Sequence, residues 1–210
     1  MDLLSNNSKY IQINLSDIIK AIGEDGAKSI LSSFSCPNKD VENFLRYKAI
    51  EFSKRDFSKT HLVFWSTLDE TEKYLVGYYT IAPKFFSISK DNVSNSQYKK
   101  LSQYGEYDTH SKKCTISAIL IGQLGKNYTA GNDTLITGDE LLKMALDKVK
   151  NIQTEIGGRY TYLECEDSPF LLSFYESNGF IQFGKRKLDA DETDINGSYL
   201  IQLLKKSGRR

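Results

Sequence analysis

The chain has 210 residues, 40% hydrophobic and 26% charged, with a formal net charge of +1. That balance supports a real hydrophobic core in one large domain or two small ones. It excludes a disordered polyelectrolyte and a chain that holds nucleic acid by overall charge alone.

Residues 1–9 read as a polar lead. Tyr10 to Leu15 alternates, with Ile11, Ile13 and Leu15 on one face, which predicts a half-buried strand. Ser16 is placed to cap a short helix that stops near Gly23, and a second short helix is expected over Gly26 to Phe34. Pro37-Asn38 opens a stronger helix, because Val41, Phe44, Leu45, Ala49 and Phe52 recur at helical spacing as far as Ser53. That helix could wall a substrate site, but covering a sheet is its simpler role. Thr60 to Trp65 and Leu75 to Ile81 are rich in β-formers and predict two strands joined by a charged loop, the second ending at Pro83.

Lys84 to Lys113 is the least regular region, with a helix expected around Ser96 to Tyr104. A substrate lid and a decorative insertion are both open for it. Ile116 to Leu124 is a nearly continuous apolar run, as in a central strand buried on both faces. Thr137 to Ile156 is the longest helix, stopped by Gly157-Gly158. Tyr160 to Glu164 is the next strand. Ser168-Pro169 and Gly179 bracket a short helix. Strands follow at Phe180 to Phe183 and Ser198 to Leu204, separated by a polar loop from Asp189 to Asn196.

Three cysteines, Cys36, Cys114 and Cys165, are widely spaced. They make neither a disulfide framework nor a zinc knuckle, and no metal is expected. No apolar run approaches the ~18 residues of a membrane helix. The first residues carry no basic-then-apolar run, so a cytoplasmic location is expected. The basic end, Lys205, Lys206, Arg209 and Arg210, reads most simply as a solvated terminus.

Chemistry concentrates between Ser117 and Phe183. A helix N-terminus presents backbone amides without internal partners and favours an anion such as a phosphate. The amides of Leu135, Ile136, Thr137, Gly138 and Asp139 are the candidates for a pyrophosphate, and Gly138 allows close approach. The competing reading is local. Thr137 and Glu140 have capping-box spacing and would satisfy the same amides. In the strand before the loop, Gly122 and Gly125 permit backbone approach. Leu124, Gly125 and Lys126 could then pair with an extended ligand as a strand pairs with a sheet edge. Finally, Phe174-Tyr175-Glu176-Ser177-Asn178-Gly179-Phe180 puts a tyrosine one turn before a helix end. A phenol there could protonate a leaving thiolate, although core packing explains most of the 13 tyrosines.

These segments together resemble the GNAT superfamily of acetyl-CoA-dependent N-acetyltransferases. The resemblance runs from about Pro37 to Phe183. It rests on the Val76-Gly77-Tyr78-Tyr79-Thr80 strand, the Gly122-Gln123-Leu124 strand and the Phe174-Tyr175…Gly179-Phe180 ending. The family's pyrophosphate motif is Arg/Gln-x-x-Gly-x-Gly/Ala before a helix with paired leucines. With those leucines on Leu141-Leu142, the motif falls on Asp133, Ile136 and Gly138, and only Gly138 matches. The resemblance implies an α/β domain over residues 36–210, with a central mixed sheet flanked by helices and residues 1–35 as an N-terminal extension.

The resemblance also implies transfer of an acetyl group from acetyl-CoA to a primary amine, small or macromolecular. Tyr175 would be the general acid, Leu124 to Lys126 would hold pantetheine, and Leu135 to Asp139 the pyrophosphate. The general base stays open among Glu164, Glu166 and His110, since the central strand offers Gln123 instead of Glu. Cys165 reads as an inert buried thiol and His61 as a strand residue. A weaker resemblance points to toxin-type members that acetylate aminoacyl-tRNA, with tRNA or an antitoxin as partner, and a homodimer is the assembly it suggests. A non-catalytic binding module on the same fold is the alternative from another class.

Overall fold

The computed structural model describes residues 10–67, 72–91, 93–190, 192, 194–195 and 197–208. The polar lead, the middle of the loop between the first two β-rich segments, and Arg209-Arg210 lie outside the described residues. The chain divides into two compact units. One comprises Met1–Thr80 with Gln123–Leu142, the other Ile81–Gly122 with Lys143–Arg210.

The first unit begins with β1 (Tyr10–Asn14) and α1 (Leu15–Ser32). Asn14, not Ser16, caps α1, its side chain accepting the Ser16 amide at 2.9 Å. The two predicted short helices are one element kinked at Gly23, where φ is 75°. The next predicted helix is also interrupted. It runs as α2 (Lys39–Asn43), a π-helical turn (Phe44–Lys48) and α3 (Ala49–Lys54). The wider turn buries Phe44 and Leu45 and leaves Tyr47 exposed. β2 (Lys59–Ser66) pairs antiparallel with β1, from Tyr10↔Trp65 to Asn14↔His61.

The core of this unit gathers Leu15, Leu31, Phe34, Leu45, Leu62 and Tyr78. The Phe34 and Tyr78 rings meet edge to face at 5.1 Å, and the Tyr78 hydroxyl donates to Val41 O at 2.6 Å. Each such apolar burial contributes about 1.5–3 kcal/mol.

β3 (Lys73–Ile88) and β5 (Lys113–Lys126) each pass through both units. β3 does not end at Pro83. Proline removes one ladder donor but keeps an extended φ. The alternation of buried Phe86 and Ile88 with exposed Phe85 and Ser87 carries the strand on.

In the second unit, α4 (Asn95–Ser102) starts on a capping box between Ser94 and Gln97. β4 (Gly105–Asp108) then pairs antiparallel with β5 from Gly105↔Ile116 to Asp108↔Lys113. The irregular insertion of the sequence is therefore a helix and a hairpin. β6 (Tyr160–Cys165) pairs parallel with β5 and antiparallel with β8 (Tyr199–Lys206). α6 (Pro169–Ser177) leads to β7 (Ile181–Lys187), which pairs with β8 around a bulge between Gln182 and Gly184. Phe86, Ile116, Tyr162, Phe183 and Leu204 form this unit's core.

Hydrogen-bonded neighbours in the mixed sheet run β1-β2-β3-β5-β6-β8-β7, with β4 on β5. α5 (Gly138–Ile156) is the long helix between β5 and β6.

Candidate active site

β5 and β6 share only Ile119↔Thr161 and Leu120↔Tyr162, although β5 continues to Lys126. Beyond Leu120 this edge of β5 has no strand ladder among the described residues. Its backbone groups are open to an extended partner. On its other side β5 is held tightly. A Cβ on Gly77 of β3 would lie 2.9 Å from Gly125 O, and one on Gly125 would lie 2.4 Å from Val41 Cγ1. Gly125 is thus required by packing, whatever approaches the strand from its free edge.

The segment after β5 is fixed by Asn127. Its Oδ1 accepts the amides of Ser35 at 2.9 Å and Thr129 at 3.1 Å, and its Nδ2 donates to Leu75 O at 2.8 Å. The Asn127 amide itself donates to Val76 O at 2.8 Å. Lys126 turns back over this segment, donating to Asp133 O at 2.9 Å. Thr129–Leu135 is a 3-10 stretch that carries Ala130 and Gly131 at positive φ. Tyr10 of β1 donates to Leu135 O at 2.7 Å, so the N-terminal strand braces the approach to α5.

At the head of α5 the capping box is formed. Glu140 Oε2 accepts the Thr137 amide at 2.8 Å and the Thr137 hydroxyl at 2.8 Å, and Thr137 Oγ1 accepts the Glu140 amide at 3.1 Å. One of the proposed phosphate-binding amides, that of Thr137, is therefore already engaged. Ile136 is buried, and no hydrogen bond reaches the Gly138 amide among the described residues. Gln123, at the central-strand position considered for a base, donates to Asp40 Oδ2 at 2.8 Å. Leu124 to Asp139 all belong to the first unit.

Tyr175 belongs to the second unit and lies on α6. Its ring is edge-on to Phe174 at 5.0 Å and to Phe180 at 5.8 Å. The helix ends as its glycine predicts, with Gly179 at φ 81° and the Phe180 amide returning to Tyr175 O at 3.0 Å. Ser168 occupies the N-cap position but makes no side-chain capping bond. Burial, then the nearby Cys165, push the Tyr175 phenol above its ordinary value, so it stays protonated at neutral pH. No hydrogen bond engages its hydroxyl among the described residues, and that oxygen is not sealed from solvent. Cys165 is buried and free, its thiol pushed up to about 12 chiefly by burial, which keeps it inert.

The three base candidates separate. Burial would raise the Glu164 carboxyl, but hydrogen bonds from Arg186 and Tyr162 outweigh it and hold the group below its usual value. Arg186 reaches Glu164 through Nε at 3.0 Å and Nη2 at 2.8 Å, and also binds Glu192 at 2.7 Å. A carboxylate clamped in this way is a poor proton acceptor. His110 is exposed in the β4–β5 turn, its amide held by Asp108 at 2.9 Å. The Glu166 carbonyl accepts the Ser168 amide at 2.8 Å where the chain enters α6. Asn127, Tyr10 and Arg186 were not singled out from the sequence. A tyrosine opening a strand, an asparagine after one and an arginine in an alternating segment carry no local signal of partners 22 to 125 residues away in the chain. Among the described residues no group of His, Cys, Asp and Glu side chains is placed to hold a metal ion. No described helix is long and apolar enough to cross a membrane.

Solved structures match the fold over nearly the whole chain. AtaT complexed with acetyl-methionyl-tRNAfMet is 18% identical, covering 91% of this chain and 93% of its own, at a TM-score of 0.58. A Tyr-to-Phe mutant of KacT is 16% identical, covering 92% and 94%, at 0.60. AtaTR bound with AcCoA is 16% identical, covering 94% and 93%, at 0.54. The fold is of the GNAT type. No protein-family model matches the chain, and neither does any curated protein. Within the GNAT-type fold, α5 is the helix that follows the open-edged strand, and α6 carries the tyrosine frame.

Proposed function

We propose that the protein transfers an acetyl group from acetyl-CoA to a primary amine. The observation that carries this reading is the open edge of β5 beyond Leu120 in a GNAT-type fold. Backbone groups of Leu124, Gly125 and Lys126 pair with the pantetheine chain. The amides around Leu135 to Asp139, Gly138 foremost, face the pyrophosphate. Engagement of the Thr137 amide by Glu140 leaves Gly138 to carry more of that contact. In the reaction the neutral amine forms the new C–N bond and the C–S bond breaks. The sulfur takes the Tyr175 phenolic proton, and the proton lost from the acylated nitrogen returns to the phenolate through solvent. Burial holds the Tyr175 phenol above its ordinary titration value, which keeps the donor loaded between turnovers.

Calorimetric titration with acetyl-CoA tests the reading. Saturable binding is expected, weakened at least about tenfold by Gly138→Leu, which fills the approach to the amide. No heat of binding at millimolar acetyl-CoA defeats the proposal and leaves a non-catalytic module.

A second reading concerns the acceptor. AtaT, one of the matching structures, is complexed with acetyl-methionyl-tRNAfMet, and another is bound to the C-terminus of the antitoxin AtaR. The α-amine of an aminoacyl-tRNA is then the acceptor, with an antitoxin and a second copy of this chain as partners. Growth arrest on expression, relieved by Tyr175→Phe, is its expected signature. Acetylation of free amines with charged tRNA left untouched would refute it.

A further inference from the structure

The α4–β4 insertion takes no part in the chemistry above. It belongs to a unit with a marked charge surplus. The second unit has 17 Lys and Arg against 13 Asp and Glu, a net +4, whereas the first has 11 against 14, a net −3. Such asymmetry points to an anionic partner. Four of the second unit's carboxylates are paired within it. Glu164, Asp189 and Glu192 bind Arg186, and Asp167 binds Lys185.

The cations at the opposite end of β6 form no ion pair among the described residues. Arg159 Cζ lies 4.7 Å from the centre of the Tyr104 ring, and Lys206 Nζ lies 4.8 Å from it. Lys206 also donates to the Tyr104 hydroxyl at 3.4 Å. The Tyr160↔Lys206 register puts both cations at the same end of the β6–β8 ladder. Tyr160 packs edge-on to Tyr104 at 6.0 Å, and its hydroxyl donates to Lys100 O at 3.5 Å, which ties α4 to this end. Lys99 and Lys100 are exposed on α4. Among the described residues none of Arg159, Lys206, Lys99 and Lys100 forms an ion pair. Lys205 points elsewhere, holding Asn178 O at the end of α6.

We propose that this surface binds the phosphodiester backbone of a nucleic acid. Two like charges that share one ring and have no ion-paired carboxylate among the described residues repel each other, and an external anion relieves the repulsion. Tyr104 orients both heads, so neither must be ordered on binding. A folded acidic protein would need a buried apolar centre to dock on. In the segments that carry these cations, 95–108, 153–160 and 199–208, the exposed large apolar side chains are the separate Ile156 and Tyr107, while Tyr160 is buried. A membrane surface would likewise need apolar side chains to insert. A phosphate backbone needs only cations at intervals.

The test is fluorescence anisotropy with a labelled RNA hairpin of about 20 nucleotides, repeated with DNA of the same sequence and over a salt series. The assay contains no acetyl-CoA, so its result is independent of acyl transfer. Binding is expected with a log–log salt slope of about −3 to −4, from three or four phosphate contacts. Arg159→Glu/Lys206→Glu should weaken it more than tenfold and flatten the slope by about 2. Lys48→Glu/Lys150→Glu, a charge-matched change at exposed sites elsewhere, should leave both nearly unchanged. The RNA and DNA arms decide which nucleic acid is preferred, and binding of either supports the proposal. It is overturned by no binding at about 100 μM protein in low salt. Equal losses in both double variants overturn it too, as does tighter binding to phosphatidylserine vesicles than to either hairpin.

Discussion

Asn127→Ala should destabilise the first unit by about 3 kcal/mol. The side chain is 1% exposed and makes hydrogen bonds to Ser35 N, Thr129 N and Leu75 O. Each is worth about 1 kcal/mol net, and a donor left without a partner costs about 1–3 kcal/mol. Leu75 O keeps a second donor, Asn132 Nδ2 at 3.2 Å, so the loss falls mainly on the two amides. Asn127→Asp is the sharper variant. It keeps an acceptor for Ser35 and Thr129, but turns the donor to Leu75 into a buried oxygen facing an oxygen. Both substitutions loosen the segment that delivers the chain to Gly138, so acetyl-CoA affinity should fall with stability. Urea unfolding, followed by far-UV circular dichroism, gives the measurement. A loss of about 3 kcal/mol moves the midpoint by at least about 1 M. A shift below about 0.3 M for both variants, with unchanged acetyl-CoA affinity, would refute the assignment of Asn127 as the pin of this loop.

Tyr175→Phe should lower turnover by about 10²-fold with little change in acetyl-CoA affinity; equal turnover in steady-state assays removes the phenol from the mechanism. Gly77→Ala forces a methyl to 2.9 Å from Gly125 O and 3.1 Å from Leu141 Cδ2, and because the nearer atom is backbone it should cost about 1–3 kcal/mol in urea unfolding. The Cys36 amide above all, then Lys39 and Arg46, holds the Glu42 carboxyl below its usual value, and Arg186 does the same for Glu164 against its burial. For carboxyls with lowered native values, the unfolded chain takes up protons first as pH falls. Their stability is therefore present above about pH 4.3 and is lost below it as the native groups titrate. Glu42→Gln should flatten that acid limb, and an unchanged limb in pH-dependent unfolding would contradict the linkage.

Several elements were legible in the sequence because their cause is local. The apolar run of β5, the leucine-paired stripe of α5 and the Pro169-to-Gly179 bracket of α6 each follow from periodicity or from a residue that fixes φ. Legibility failed where a partner far along the chain decides. Pro83 reads as a stop, yet the buried Phe86 and Ile88 extend β3 past it. Val41 to Phe52 reads as one helix, yet the Phe44–Lys48 turn widens to π geometry as Phe44 and Leu45 enter the core.

The candidate site divides in the same way. Sequence spacing was enough to propose the Thr137–Glu140 capping box, the Gly138 approach and the Tyr175 frame, since all are contacts within one turn of helix. It could not show that Gly125 is enclosed by Val41, that Glu164 is clamped by Arg186, or that Arg159 and Lys206 share the Tyr104 ring. Those facts depend on strand register and on chain segments brought together from tens of residues apart. No short-range pattern encodes them, and only the packed tertiary structure settles which side chains remain available for chemistry.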